Sequence, residues 1–253
     1  MKVVSQNTHT ITQKDKSVNR LLDQYIPSVK EQSVVVVTSK IVSICEGSII
    51  PIGSVDKDKL IRENADFYTD RGDSQYNVML TVKNGILAAG AGIDESNGFG
   101  HYILWPKDAQ KSANSIREFL VKRFKVKHVG VVISDSRTSP LRWGTTGMAI
   151  AHSGFQALKD YIGSKDIFGR EFQFAKLNVA DSLAAAAVLT MGEGKERAPI
   201  AVIEDLRYIK FQTRNPTKKE LEDLRIEIKD DLYAPILTKA GWKKGGRSRK
   251  DML

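Results

Sequence analysis

The chain has 253 residues, of which 41% are hydrophobic and 27% charged, and its net charge is +9. This is the balance of a globular protein with a substantial core. No apolar run approaches the roughly 18–20 residues of a membrane span, and the N-terminus is too polar for a secretory signal. The single cysteine, Cys45, excludes an internal disulfide and a thiolate-rich zinc site. A cytoplasmic protein is therefore expected.

Much of the positive excess lies at the C-terminus. Asp251 is the one acidic residue there, among Lys239, Lys243, Lys244, Arg247, Arg249 and Lys250. A basic tail can contact nucleic acid or other polyanions, although a solvated, flexible end is the commoner case. The rest of the chain is too weakly basic to indicate a nucleic-acid surface. The charge instead favours small anionic substrates.

The first half of the chain predicts a helix, a buried strand and a hairpin. Apolar residues at helical spacing over 18–26 predict the helix, and the four valines at 34–37 predict a strand that runs into a polar turn. Residues 76–89 have the pattern of a hairpin, because Asn84-Gly85 is a turn sequence that hairpins favour. A glycine-rich loop over 90–100 follows.

The second half mixes helices and strands. Ser112 is the predicted N-cap of one helix, and Asp181 is the predicted N-cap of an Ala-rich helix that stops at Gly192. Short strands are predicted at 128–133, 172–179 and 199–203. Because the elements show no regular βαβ rhythm, an α+β fold is favoured over a doubly wound sheet.

Three apolar segments each run out into a short polar loop with a carboxylate, at Asp94, Asp135 and Glu193. Mg²⁺ and Mn²⁺ prefer oxygen ligands, and neighbouring glycines let backbone amides approach a phosphate. Spacing alone also fits ordinary turns, which use the same residue types. The chain has no P-loop, dinucleotide fingerprint or nucleophile elbow.

These three loops belong to a longer series of short motifs in order along the chain. They are Thr38-Ser39-Lys40 with Glu46-Gly47, Gly92-Ile93-Asp94-Glu95-Ser96-Asn97, Pro106-Lys107-Asp108, Ile133-Ser134-Asp135-Ser136, Leu141-Arg142-Trp143-Gly144, and Ala180-Asp181 with Met191-Gly192-Glu193. Together they resemble the coenzyme F420-0:L-glutamate ligase family, which includes γ-glutamate ligases assigned to folate metabolism. The resemblance covers roughly residues 30–205.

The resemblance implies an α+β fold of mixed sheets with flanking helices, assembled as an intertwined homodimer with its active site near the subunit interface. We expect a ligase domain over 1–205, best matched over 30–205. A C-terminal helical extension over 206–238 and a basic flexible tail over 239–253 are expected to follow.

The family's site residues are carried over by motif. The resemblance implies that Mg²⁺ or Mn²⁺ binds at Asp94, Asp135, Ser136 and Glu193. It implies that GTP, or ATP, contacts Ser39, Lys40, Asn97, Gly192 and Gly194. Many members also use a monovalent cation such as K⁺. Lys40 and Arg142 are expected to supply positive charge.

The implied activity adds L-glutamate to a small carboxylate acceptor of the F420-0 type through an acyl phosphate. Ile44 stands where the family commonly has lysine, which puts part of the phosphate or acceptor contact in question. Two alternatives remain: a folate-type or other γ-glutamate ligase, and a non-catalytic nucleotide- or polyanion-binding protein. No residue is singled out as the general base.

Overall fold

The computed structural model describes residues 1–72 and 75–247. Its strands are β1 (Lys2–Gln6), β2 (Ser33–Thr38), β3 (Ile49–Pro51), β4 (Phe67–Arg71), β5 (Met79–Lys83), β6 (Ile86–Ala89), β7 (His101–Ile103), β8 (Val129–Thr138), β9 (Thr145–Ser153), β10 (Leu158–Asp160), β11 (Lys176–Asn178), β12 (Ile200–Glu204) and β13 (Lys243–Lys244). Its helices are α1 (Val18–Tyr25), α2 (Ser39–Glu46), α3 (Lys57–Asn64), α4 (Ala109–Phe124), α5 (Val179–Met191), α6 (Lys218–Glu222) and α7 (Ala234–Leu237). Within the described ranges, no helix has the length and apolar character needed to cross a bilayer.

The elements form the predicted α+β mixture, and the chain divides into two compact units. Unit 1 contains residues 1–47 and 106–224, and unit 2 contains residues 48–105 and 225–253. Unit 2 is thus built from two separate stretches of chain. The expected ligase domain over 1–205 draws on both units.

The centre of unit 1 is a five-stranded sheet in the order β1-β12-β2-β8-β9. The pair β2–β8 is parallel, and the other neighbours are antiparallel. Val35 and Val37 pack in a core with α1 and α4, whereas Val34 and Val36 pack in a second core with α5. Because both faces of the sheet are covered, β2 is a continuous apolar run rather than an alternating one.

Two predicted helix caps in unit 1 are wrong. The cap of α4 is Asp108, whose carboxylate accepts a hydrogen bond from the Lys111 N–H at 2.8 Å. The cap of α5 is Asn178, whose side chain accepts from the Asp181 N–H at 3.0 Å. Ser112 and Asp181 therefore lie in first turns, where their side chains are available for tertiary contacts.

The strands of unit 1 also differ from the prediction. The strand predicted at 128–133 continues through the polar residues to Thr138, because they pair with β9, which the pattern did not predict. Asp135 and Ser136 thus lie on a strand, not in a loop. Over the predicted strand at 172–179, only β11 is extended and paired, with β10.

Unit 2 contains a four-stranded antiparallel sheet in the order β13-β4-β5-β6 and the pair β3–β7. The predicted hairpin is confirmed, but β5 begins at Met79. Asn84 and Gly85 have φ values of 55° and 74°, as a tight hairpin turn with two left-handed residues requires.

The tail predicted to be flexible over 239–253 falls within the range of unit 2, and its first part makes ordered contacts there. Lys243–Lys244 instead pairs with β4, and the Lys243 ammonium lies 2.7 Å from the Asp70 carboxylate. Gly245 donates a backbone hydrogen bond to the Asp66 carbonyl. Residues 248–253, with Arg249, Lys250 and Asp251, lie outside the described residues.

Candidate active site

Two predicted site segments follow the same end of the parallel strand pair in unit 1. Thr38, the last residue of β2, is in register with Ser134 of β8. Ser39 and Lys40 follow Thr38, and Asp135 and Ser136 follow Ser134. Carboxyl ends of adjacent parallel strands meet at one sheet edge, where ligands of α/β sheets bind. The register therefore brings the predicted phosphate-binding and metal-binding segments to one edge.

Ser39 and Lys40 begin helix α2. Thr38 is its N-cap residue but makes no side-chain cap hydrogen bond. A helix N-terminus of this kind presents backbone N–H groups and a positive dipole end, a combination that suits phosphate. Ser39 is buried and Lys40 is half-buried.

Ser136 joins the two predicted carboxylate ligands of unit 1. Its hydroxyl donates to the Glu193 carboxylate at 2.6 Å, and its backbone N–H donates to the Asp135 carboxylate at 2.9 Å. Glu193 follows the end of α5, 57 residues along the chain from Ser136. The contact between Ser136 and Glu193 is therefore a tertiary one that joins the segment at the end of α5 to β8.

The loop with Glu193 has its own internal contact. The Gly194 N–H donates to the Glu196 carboxylate at 2.8 Å. Gly192 ends α5 with φ of 79°, and a Cβ placed there would lie 2.5 Å from Cδ of Glu196. Gly192 is therefore required both by its backbone conformation and by the side chain that passes beside it. Sequence reasoning missed Glu196, which carried no motif signal of its own.

Asp94 and Asn97 lie in unit 2. The backbone of Asp94 exchanges two hydrogen bonds with Ile103, of 3.0 and 2.7 Å. The Asp94 carboxylate accepts from the N–H and the hydroxyl of Ser96, at 2.7 and 2.9 Å. Asn97 is exposed and has a left-handed backbone with φ of 54°. Local contacts within the loop thus orient the Asp94 carboxylate.

Arg142 lies in the segment that connects β8 and β9. Its side chain is exposed, and its backbone N–H donates to the Ser139 carbonyl at 3.3 Å. The neighbouring Leu141 and Trp143 are also exposed. A long cationic side chain on such a surface segment is available to a bound anion.

The oxygen-only donor set fits a hard divalent cation. Carboxylates and a hydroxyl are the ligand types that Mg²⁺ and Mn²⁺ prefer. Across residues 1–72 and 75–247, no group of three His, Cys, Asp or Glu side chains is close enough to hold a metal ion. Ser136 nevertheless contacts both the Asp135 and the Glu193 carboxylates.

Three further polar contacts of unit 1 were missed by sequence reasoning. Asp181 accepts from the Ala149 N–H at 2.9 Å and lies 3.1 Å from Arg137, so it joins α5 to both β8 and β9. Ser112 donates to Glu46 at 2.5 Å. Burial raises the pKa of the Glu46 carboxyl, and Asp108 acts in the same direction.

Cys45 and His152 are in environments that oppose ionisation. Burial raises the pKa of the Cys45 thiol to about 11, so the nucleophilic thiolate is scarce at neutral pH. Burial lowers the pKa of His152 to about 4, so its imidazole is neutral. Both residues are buried and act as packing groups.

Comparison with known proteins agrees with the motif pattern. The model of the family described as F420-0:Gamma-glutamyl ligase matches residues 6–205. That range contains every predicted site residue. It ends just after β12, so the segments from α6 onward lie beyond it.

Individual relatives carry a consistent name. A protein of Methanocaldococcus jannaschii named coenzyme F420:L-glutamate ligase is 32% identical over 207 residues, covering 74% of this chain and 80% of its own length. One of the same name from Methanopyrus kandleri is 30% identical over 200 residues, covering 79% and 73%. Another from Archaeoglobus fulgidus is 40% identical over 130 residues, covering 51% and 52%.

Proposed function

Because this chain belongs to the F420-0:gamma-glutamyl ligase family, we propose that it joins the amine of L-glutamate to a carboxylate of coenzyme F420-0 through an amide bond. The co-substrate is GTP, and ATP is the alternative nucleotide. The metal is Mg²⁺ or Mn²⁺, and K⁺ is a candidate monovalent ion.

The observation that best supports this proposal is the gathering of Ser39, Lys40, Asp135 and Ser136 at one end of β2 and β8, with Glu193 hydrogen-bonded to Ser136. A protein that only bound a polyanion through a basic surface would not need carboxylates beside a phosphate-type helix N-terminus. Phosphoryl transfer needs both, since it depends on positioning and on neutralising charge.

The reaction begins at a carboxylate of the acceptor, which is a poor electrophile. Its oxygen attacks the γ-phosphorus of the nucleotide, so an acyl phosphate forms and GDP leaves. The amine of glutamate then attacks the acyl carbon, the amide bond forms, and inorganic phosphate leaves with the carboxylate oxygen. The amine must lose protons during this step, and no residue is assigned as their acceptor.

Residues of this chain would provide charge and alignment for these steps. Asp94, Asp135, Ser136 and Glu193 would hold the divalent ion, which supplies positive charge to the phosphate oxygens. Ser39, Lys40 and Asn97 would contact the nucleotide, and Gly192 and Gly194 would let it approach the backbone closely. Arg142 would bind a carboxylate or phosphate of the substrates.

We further propose that the chain forms a homodimer. Several large apolar side chains of unit 1 are almost fully exposed, among them Leu141, Trp143, Phe168 and Phe174. Where such groups form a contiguous patch, they mark an association surface. Light scattering should give the mass of a dimer, and Trp143→Asp should shift it towards the monomer. A monomeric wild type would contradict this part of the proposal.

The function is tested by phosphate release with glutamate and Mn²⁺, using GTP or ATP and using F420-0 or a folate as acceptor. We expect release that requires F420-0 and is fastest with GTP, and that is lost in Asp135→Asn. Release that requires folate would support the folate-type ligase instead. Nucleotide binding without turnover on either acceptor would contradict the ligase assignment.

A further inference from the structure

We propose that Glu196 is a positioning residue, which shapes the Gly192–Gly194 turn so that Glu193 reaches Ser136. This inference rests on the proposed function, because Glu193 matters there as a metal ligand. Glu196 belongs to none of the motifs that predicted the site. Its carboxylate nevertheless contacts the backbone of this turn, accepting a hydrogen bond from the Gly194 N–H at 2.8 Å.

The two glycines on either side of Glu193 fit around the side chain of Glu196. At Gly192 an added Cβ would lie 2.5 Å from Cδ and 2.8 Å from Cγ of Glu196. At Gly194 it would lie 3.3 Å from Oε1. A side chain at Gly192 would therefore collide with Glu196. The turn is wrapped around this carboxylate, and the hydrogen bond to Gly194 is charge-assisted.

Backbone hydrogen bonds hold both ends of the turn. The Gly192 N–H closes the last turn of α5 through the Val188 carbonyl at 2.9 Å. On the other side, the Arg197 carbonyl accepts from the Thr8 N–H at 2.8 Å. The conformation between these anchors is then set by the contact of Glu196 with Gly194. Glu193, between the two glycines, extends to Ser136.

Removal of the Glu196 carboxylate should release the turn without removing any proposed metal ligand. Glu193 would then sample positions away from Ser136, and metal affinity would fall. Groups that orient metal ligands typically contribute 10- to 100-fold to affinity. The N–H of Gly194 already donates to Glu196. Gly194 would therefore help nucleotide binding because it has no side chain, which lets the nucleotide approach the backbone.

The first measurement is Mn²⁺ affinity in the presence of GTP and without acceptor, followed by electron paramagnetic resonance of free Mn²⁺. We compare Glu196→Ala, Glu196→Gln and Glu222→Ala, a matched truncation of an exposed carboxylate elsewhere in unit 1. Glu196→Ala should weaken binding about 10-fold or more. Glu196→Gln keeps an acceptor oxygen and should stay within about 3-fold, and Glu222→Ala should match the wild type.

The second measurement reports the turn directly. The chain has two Glu-Gly pairs, Glu46-Gly47 and Glu193-Gly194. Protein with ¹³C-carbonyl glutamate and ¹⁵N-glycine therefore gives two carbonyl-selected amide signals. Glu196→Ala should move the Gly194 signal and leave that of Gly47, whose N–H donates to Ile44 in α2.

The outcomes separate this inference from the proposed function. Wild-type affinity in Glu196→Ala would overturn the inference alone, as would equal losses in the Ala and Gln variants, because a direct charge effect would then explain them. An unmoved Gly194 signal in Glu196→Ala would also overturn it. A wild type that binds no Mn²⁺, or an Asp135→Asn variant with full affinity, would overturn the proposed function itself.

Discussion

The two units hold their candidate site residues by different means. In unit 1, Asp135 and Ser136 continue a strand whose preceding residues, including Val132 and Ile133, are completely buried. In unit 2, Asp94 is oriented by Ser96 within the same loop. Strands that are paired on both sides and covered on both faces transmit little local movement, whereas loops adapt more readily.

The hydrophobic core is also larger in unit 1 than in unit 2. The sheet of unit 1 is packed between two extended clusters of buried side chains. The described buried cluster of unit 2 contains only Ile61, Ala65, Met79 and Ala91. Along β5, buried Met79 and Thr81 alternate with Leu80, which is 43% exposed. We therefore expect substitutions to be felt more strongly in unit 1, for stability and for chemistry.

The largest expected difference concerns two proposed metal ligands. Asp135→Asn should lower kcat/KM by about 10³-fold or more, and Asp94→Asn by about 10²-fold, because the loop around Asp94 can adjust. Steady-state kinetics over a range of Mn²⁺ concentrations measures both. Circular dichroism should show native folds. A larger loss for Asp94→Asn would reverse the comparison.

Leucine truncation should cost more stability at a buried position of unit 1 than at an exposed position of unit 2. Leu120 is completely buried between α4 and the sheet of unit 1. Leu120→Ala should cost about 3 kcal/mol, since it leaves a cavity. Leu80→Ala in unit 2 should cost less than about 1 kcal/mol. Urea unfolding gives both values, and equal costs would show that the difference in burial has no energetic consequence.

Acid should weaken unit 1 through His152. The pKa of His152 is lowered in the folded state, from an ordinary value of 6.5 to about 4. As the pH falls, the unfolded chain takes up the proton first, so stability is lost between pH 6.5 and about 4. The loss should be about 3 kcal/mol. Hydrogen exchange of unit 1 peptides measures it. His152→Leu should flatten this dependence, and an unchanged slope would contradict the assignment.

The smallest expected effects on stability come from removing helix N-caps, and they should be equal in the two units. Asn178 caps α5 in unit 1, and Asp56 caps α3 in unit 2 through the Lys59 N–H at 2.7 Å. Asn178→Ala and Asp56→Ala should each cost about 1 kcal/mol, and the serine variants should retain most of the stability. Thermal unfolding measures the four variants. Unequal costs would show that caps depend on the surrounding unit.

The parts of the fold that sequence predicted are those fixed by local chemistry. The valines of β2 and the turn at Asn84-Gly85 were assigned correctly, because burial on two faces and a left-handed turn each leave a direct signature. The cap of α4 was misplaced, since both Ser112 and Asp108 are good capping residues. Tertiary contact decides between them, as Ser112 donates to Glu46.

The candidate site was predicted by motif and not by periodicity. The patterns identified Asp135 as a loop residue, and the pairing of its strand with β9 could not be predicted from polar residues alone. The contact between Ser136 and Glu193 depends on chain segments 57 residues apart. Glu196 carried no signal, because its role depends on the space left by two glycines. Contacts between distant segments of the chain are therefore the feature of this site that could not be predicted from the sequence.

The most direct test of the proposed ligase is product analysis by mass spectrometry, after incubation of the full chain with F420-0, L-glutamate, GTP and Mn²⁺. We predict F420-0 extended by one amide-linked glutamate, with one phosphate released for each amide bond formed. Asp135→Asn should form no detectable product. GTP hydrolysis without extension, or extension that persists in Asp135→Asn, would contradict this account.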